Sequence, residues 1–347
     1  MAEIKPNVDT NRQNLADIIP LPVPFTIYIE QTRVCNLKCY YCIHSTRDDE
    51  NGEFKKLGYE VKHMASEDYK KVISELARFP SRSIKRIVFS GLGEPLANPL
   101  LPDFIKMAAD SKIADRVEVI TNGLLLNNDL SQKMIEAGIT NINISIQGIS
   151  PEQYEKTCGK KLDFNKFLAA LEYLYRIKSR AQIYIKIIDA AFEKETDKDE
   201  FYKLFSPFAD RVYVEHIVQM QQQHDKIKNQ VTPSKNMYGE DCPVDRKVCG
   251  QCFYFLQVGC DLDVFPCSIP GLRKGFSIGN LNKNSILEIW NGKKRMSFLK
   301  MMLKLEKEKM PECKTCVCYN VITDESEYLD DKAPELMNRL FGRNEHV

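Results

Sequence analysis

The run Phe25-Thr26-Ile27-Tyr28-Ile29-Glu30-Gln31-Thr32-Arg33-Val34-Cys35-Asn36-Leu37-Lys38-Cys39-Tyr40-Tyr41-Cys42 sets a stretch rich in aromatic and β-branched residues directly before three cysteines. Phe25–Thr32 is a β-strand candidate, and the C-x3-C-x2-C that follows supplies three thiolates from one loop. A cubane iron–sulfur cluster takes four thiolates, so Cys35, Cys39 and Cys42 would leave one iron open. Open positions separate catalytic from structural metal sites, and the triplet therefore points to chemistry. The plainer reading is a structural zinc knot with His44 as fourth ligand.

Outward from this run, short apolar segments recur at intervals long enough for crossover helices. The strands expected are Phe25–Thr32, Arg86–Ser90, Val117–Thr121, Asn141–Ile146, Gln182–Ile188 and Arg211–Val218. Helices are expected over Ser66–Phe79 (with Ser66 as N-cap), Leu101–Ala109, Asp129–Ala137, Pro151–Tyr154, Phe164–Ile177 and Lys198–Leu204. Six such units with strands covered on both faces give an α/β fold, a partial (β/α)6 TIM-like barrel. Sites in such folds gather at the C-terminal strand ends, and the cysteine triplet lies just beyond the first of them.

The expected organisation is an N-terminal extension (1–24), the barrel (25–218), a linker (219–241), a small cysteine-rich α+β C-terminal domain (242–320) and an acidic surface tail (321–347). In the cysteine-rich part, short strands are expected around Phe253–Val258 and Asp263–Pro266, and one helix from a Ser285 cap to Lys304.

The chain has 347 residues, 43% of them hydrophobic, with 49 Lys and Arg against 48 Asp and Glu. This is a core-forming composition with no electrostatic case for nucleic acid or an anionic membrane surface. No apolar run is long enough to span a membrane, and no basic segment precedes the proline-broken stretch at Ile18–Ile29, so a cytoplasmic protein is expected. Ten of the twelve cysteines fall in three groups, Cys35/39/42, Cys242/249/252/260 and Cys313/316/318, while Cys158 and Cys267 stand apart. Clustering without an export signal indicates metal or redox use and not a disulfide framework. Cys249-x2-Cys252 with Cys313-x2-Cys316 also suits a zinc ribbon.

The triplet, with Tyr41 at the aromatic position of C-x3-C-x-aromatic-C, resembles the radical S-adenosylmethionine superfamily. Ser90-Gly91-Leu92-Gly93-Glu94-Pro95 looks like that family's GGEP element, with Leu92 in place of its first glycine. The resemblance implies that Tyr41, Gly91, Gly93 and Glu94 contact S-adenosylmethionine. It implies the same of Asn122 in Thr121-Asn122-Gly123, of Ser145 and Gln147 in Ser145-Ile146-Gln147-Gly148, and of Lys186. The C-terminal part resembles the SPASM domain, or its shortened twitch form, through Cys249-x17-Cys267 after Phe265-Pro266, Gly279-Asn280-Leu281, Ile289-Trp290 and Cys313-x2-Cys316. One auxiliary [4Fe-4S] cluster on Cys249, Cys267, Cys313 and Cys316 is implied. Leu262 stands where the family has glycine, and the surplus Cys242, Cys252, Cys260 and Cys318 leave a second cluster or a swapped ligand open.

The chemistry implied is reductive cleavage of S-adenosylmethionine to a 5′-deoxyadenosyl radical that takes a hydrogen atom from a substrate, with a flavodoxin- or ferredoxin-type reductant. The leading expectation is a dehydrogenase oxidising a carbinol of a sugar or aminocyclitol, the auxiliary cluster accepting an electron. Glu215 or His216, ending the sixth strand, is a candidate base for a substrate hydroxyl, with substrate binding and plain core packing as the other readings. Ser268 replaces the aspartate that follows the matching cysteine in peptide-oxidising relatives. The alternatives are a peptide or protein maturase, and an epimerase with a cysteine such as Cys158 returning the hydrogen. Outside this chemistry stand a non-catalytic iron–sulfur carrier and a zinc-binding module.

Overall fold

The structure is a computed structural model that describes residues 2–9, 11–80, 84–220 and 224–342. Gln221–Gln223 of the expected linker and 343–347 of the expected tail lie outside the described residues. The six expected strands form as β2 (Thr26–Ile29), β3 (Ile84–Phe89), β4 (Ala114–Thr121), β5 (Asn141–Ile146), β6 (Gln182–Ile188) and β7 (Arg211–Glu215). They pair in parallel in sequence order. Four more strands join them: β1 (Glu3–Ile4), β8 (Phe255–Val258), β9 (Asp263–Phe265) and β10 (Gly279–Asn280). The result is one sheet in the order β1-β7-β6-β5-β4-β3-β2-β8-β9-β10. These elements form the expected α/β partial barrel.

The crossover helices Ser66–Leu76, Leu101–Ser111, Asn128–Glu136, Pro151–Cys158, Phe164–Ile177 and Asp197–Phe205 cover one face of this sheet. Ser66 is the first helical residue and Ala65 the cap, and Pro151–Cys158 runs one turn beyond its expected end. Ile87, Phe89, Val119, Ile142, Ile144, Ile183, Ile185 and Val212 pack there against Tyr69, Val72, Phe104, Leu171 and Phe201. The alternate positions form the other face, which is polar: Tyr28, Arg86, Glu118, Asn143, Ser145, Lys186 and Glu215. Strand residues alternate between faces, so this is an enclosed polar interior and not a second apolar one.

Three of the expected boundaries differ in three dimensions. The N-terminal extension is built into the barrel: β1 pairs in parallel with β7, Asn7 bonds Asn143 at 3.0 Å, and Asp9 bonds Arg116 at 2.9 Å. The stretch expected as a surface tail folds back as the helix Ala333–Phe341, with Leu329 and Leu336 fully buried against Leu15, Phe298 and Met302. The single helix expected after Ser285 breaks at Asn291-Gly292 into Ile286–Trp290 and Lys293–Leu303, with Ser285 and Glu288 forming a capping box. Gly292 is where helical continuity is lost, in line with its low helix propensity.

The cysteine-rich region continues the same sheet: β8 lies parallel to β2, and β9 and β10 follow antiparallel. Leu262, in the β8–β9 turn, has φ +64° and is fully buried. This explains the glycine preference there, since a left-handed side chain costs roughly 1–2 kcal/mol. Burial of a leucine side chain, about 1.5–3 kcal/mol, offsets it.

A buried guanidinium ties the turn to the triplet loop. Arg33, 2% exposed, donates from Nε to Glu30 at 2.7 Å and from Nη1 to Asp261 at 2.8 Å. Its plane lies 4.0 Å from the Tyr59 ring centre, and the other Glu30 oxygen accepts from Leu92 N at 3.1 Å. Arg33→Met would leave the Glu30 carboxylate buried without its cation, an imbalance worth about 3–5 kcal/mol. We expect urea denaturation to show a loss of that size; a change under about 1 kcal/mol would mean that the pair is not a structural tie.

Candidate active site and auxiliary metal centre

The triplet loop leaves the end of β2 and is pinned by the C-terminal turn of Pro151–Cys158. Lys38 N donates to Cys158 O at 3.2 Å and Tyr40 N to Thr157 O at 3.0 Å. Cys42 N closes a turn onto Cys39 O at 2.9 Å, so the chain doubles back between the second and third cysteines. Burial pushes the Cys35 thiol up to about 12 and raises Cys42. Cys39 is raised further, first by the Cys158 thiol beside it and then by burial. Three thiols gathered in a low-dielectric loop are a donor set that iron would stabilise as thiolates.

His44, the fourth ligand of the zinc reading, is instead buried with its ring 4.5 Å from that of Phe54. Burial lowers its pKa to about 4. Among the described residues, no three His, Cys, Asp or Glu side chains stand close enough to hold a single metal ion. The thiols of a cubane bind different irons and need not converge on one point.

The strand-end motifs surround this loop. Glu94 is buried, accepting from Leu96 N at 2.9 Å, from Asn122 N at 2.7 Å and from the Thr121 hydroxyl. It thereby clamps the ends of β3 and β4 together; burial raises its pKa to about 6 against the pull of those donors. The two glycines make room for the chain itself. A Cβ at Gly93 would lie 2.4 Å from Thr32 O, and one at Gly91 2.5 Å from Glu30 Cγ. Asn122 reaches the triplet loop through Nδ2 to Asn36 Oδ1, 2.8 Å. Tyr41 donates its hydroxyl to Gln147 Oε1, which also accepts from the Cys39 thiol at 3.7 Å, and Gln147 Nε2 donates to Ser145 O at 2.8 Å.

Ser145 stands in register with Lys186 on the polar face. Lys186 Nζ donates to Glu215 Oε2 at 2.6 Å and Tyr184 OH to Glu215 Oε1 at 3.1 Å. His216 Nδ1 instead meets Asp189 Oδ2 at 2.6 Å. Glu215, not His216, is therefore the member of that pair on the polar interior. Cys158, 2% exposed, donates to Tyr154 O at 3.0 Å and touches Cys39. A cavity of about 660 Å³ opens at the strand ends, lined among others by Tyr40, Thr157, Asp189, Phe192, Ile217 and Gln230. Sequence reasoning missed Asn36, Thr121, Tyr184 and Asp189. Asn36 and Asp189 had a usable signal, one lying between the cysteines and the other directly after β6.

The second thiol set is equally well defined. Cys249, Cys267, Cys313 and Cys316 all line one cavity of about 200 Å³, together with Cys252. Burial pushes Cys249 up to about 12 and raises Cys267 and Cys313 too. Cys316 is held down at about 7, chiefly by the Cys318 thiol donating to it. Of the surplus cysteines, Cys260 donates to Glu30 O at 2.9 Å and Cys242 to Pro233 O at 3.9 Å, neither lining the cavity. Cys252 donates to Cys249 O at 3.0 Å. These four thiols line one cavity and supply the donor count of a cubane.

Comparison with known proteins bears on both halves of the chain. Residues 249–317 match SPASM, an iron–sulfur cluster-binding domain. A probable GTP 3′,8-cyclase of Methanococcus maripaludis is 37% identical over 125 residues, 36% of this chain and 37% of that protein. The matched stretch thus spans less than two-fifths of the length of such relatives. Among solved structures, BtrN in complex with AdoMet and 2-DOIA is 21% identical with a TM-score of 0.55, covering 89% of this chain and 98% of BtrN. Streptococcus suis SuiB bound to precursor peptide SuiA is 13% identical with a TM-score of 0.61, covering 92% of this chain and 77% of SuiB. Both show the same fold. No helix among the described residues is long and apolar enough to cross a membrane. The Radical SAM superfamily matches residues 29–205, just over half of the chain, and the protein belongs to that superfamily.

Proposed function

We propose that this radical SAM enzyme oxidises a carbinol of a small polyol, a sugar or an aminocyclitol, with Glu215 as the base. The observation that carries this reading is the Glu215 carboxylate, fixed on the polar interior by Lys186 at 2.6 Å and Tyr184 at 3.1 Å. S-adenosylmethionine and its cluster would supply, when bound, the radical that removes the carbinol hydrogen, and an auxiliary cluster would supply an acceptor for the electron left behind. Cys35, Cys39 and Cys42 hold the first cluster, and Cys249, Cys267, Cys313 and Cys316 hold the second. Tyr41, Gln147 and Asn122 shape the space beside the triplet. Glu215 takes the hydroxyl proton while Lys186 Nζ, donating to its other oxygen, fixes the carboxylate. Electrons enter from a flavodoxin- or ferredoxin-type donor.

BtrN is described with the small molecule 2-DOIA and SuiB with a peptide, and the two readings part at the base. The aspartate expected of a peptide oxidase is Ser268 here, and its hydroxyl is engaged with Gln251 Oε1. A charged base inside a polar interior favours a hydroxylated substrate over a peptide backbone.

Glu215→Gln keeps acceptors and donors for Tyr184 and Lys186 but removes the base. Ketone formation from a panel of polyols should fall about 10²–10⁴-fold, the usual share of general base catalysis. Formation of 5′-deoxyadenosine should persist. Mass spectrometry of both products reads this, and an unchanged oxidation rate would rule Glu215 out as the base.

A further inference from the structure

The auxiliary cavity is lined by two cations, Arg273 and Lys307, that the cysteine assignment does not explain. Lys307 lines it with Cys249, Cys267, Cys313 and Cys316. Its Nζ donates to Cys316 O at 3.3 Å and to the Tyr319 hydroxyl at 2.6 Å, and lies 4.3 Å from the Tyr319 ring centre. Tyr319 is itself held, its hydroxyl bonding to Arg246 O. The neighbouring Lys309 is spent on Glu306 at 2.8 Å, and Lys304 is exposed. Lys307 has no carboxylate within ion-pair distance among the described residues, although Glu312 and Arg273 share the cavity wall. A long side chain fixed by an aromatic face, a phenol and the backbone of a ligand cysteine is held for its charge.

We propose that Lys307 is a positioning residue that sets the reduction potential of the auxiliary cluster. The inference rests on the reading that Cys249, Cys267, Cys313 and Cys316 carry that cluster. Four thiolates make the site anionic, and one added electron makes it more so. A fixed cation beside one ligand favours the reduced state, because net charge and hydrogen bonding around the ligand sulfurs set such potentials. Lys307 thus makes the site a better acceptor of the electron left on a substrate radical. Arg273 adds to this effect and Glu312 opposes it, but neither is anchored to a ligand cysteine.

The test is a potentiometric titration followed by electron paramagnetic resonance on the full chain carrying Cys35→Ala, Cys39→Ala and Cys42→Ala, so that only the auxiliary cluster is read. Lys307→Met should lower the potential by an amount equal to about tenfold in the reduction equilibrium, about 59 mV for one electron. Lys307→Arg should restore most of it, and Lys304→Met should change nothing. Should Lys307→Met take up too little iron to titrate, Lys307→Gln keeps the bond to Tyr319 and supplies the neutral comparison. A potential unmoved by loss of the charge overturns the role of Lys307 while leaving the ligand assignment intact. Absence of any cluster in the triple-alanine parent overturns the ligand assignment, and the proposal with it.

Discussion

Replacing Cys35, Cys39 and Cys42 together with alanine abolishes cleavage of S-adenosylmethionine and halves the bound iron, from about eight atoms per chain to about four, one cubane remaining. Alanine has no ligating atom, and nothing else in the loop can take over: His44 is packed against Phe54, and the Cys158 thiol is committed to Tyr154 O. The loop itself should survive, because its hold on the barrel is backbone to backbone, Lys38 N to Cys158 O and Tyr40 N to Thr157 O. Loss of activity would then reflect loss of the centre and not of the fold. Circular dichroism checks the fold, iron and sulfide assays count the clusters, and chromatography after dithionite reduction measures 5′-deoxyadenosine. Cleavage that persists in the triple variant would remove the triplet from the site altogether.

Much of this site is legible from local sequence because its parts announce themselves locally. A run such as Asn141–Ile146 alternates Ile with polar residues, which determines both strand and face, and the cysteine spacing carries the donor count. Partnerships between distant residues left no such mark. Nothing in Phe255–Val258 says that it pairs with β2, since parallel pairing is non-local and many partners are possible. The same holds for Asp261, which meets Arg33 only after that pairing forms. The acidic composition of the tail hid the apolar stripe of Leu336 and Ala333 in its helix. At Glu94 the motif marks the position, while the protein partners of its oxygens, Leu96, Thr121 and Asn122, leave no local mark. The Gly91 and Gly93 positions likewise answer to steric demands of Glu30 and Thr32 that no single-sequence pattern reveals.

The complementary variant, Cys313→Ala with Cys316→Ala, separates starting the reaction from finishing it. Both residues line the cavity shared with Cys249 and Cys267, and two remaining thiols cannot hold a cubane there. Cys252, already in the cavity wall, brings the donors only to three, and Cys318, which also bonds Gln219 O and Met220 O at 3.3 Å, does not line the cavity. Iron should fall by about half, the mirror image of the triplet result, because the triplet loop hangs from β2 and Pro151–Cys158, not from this cavity. Cleavage of S-adenosylmethionine should continue at a reduced rate, since the β8–β2 pairing and the Arg33–Asp261 contact belong to the sheet and not to the cluster. Oxidised product should vanish, because the electron on the substrate radical has no acceptor. The deciding quantity is the ratio of 5′-deoxyadenosine to product, near one in the parent protein and rising without limit in the variant. In deuterated buffer the stranded radical should be quenched by solvent-derived hydrogen, returning substrate labelled at the reacting carbon. Full turnover in this variant would deprive the auxiliary cluster of its role as electron acceptor and move the chemistry toward a redox-neutral reaction.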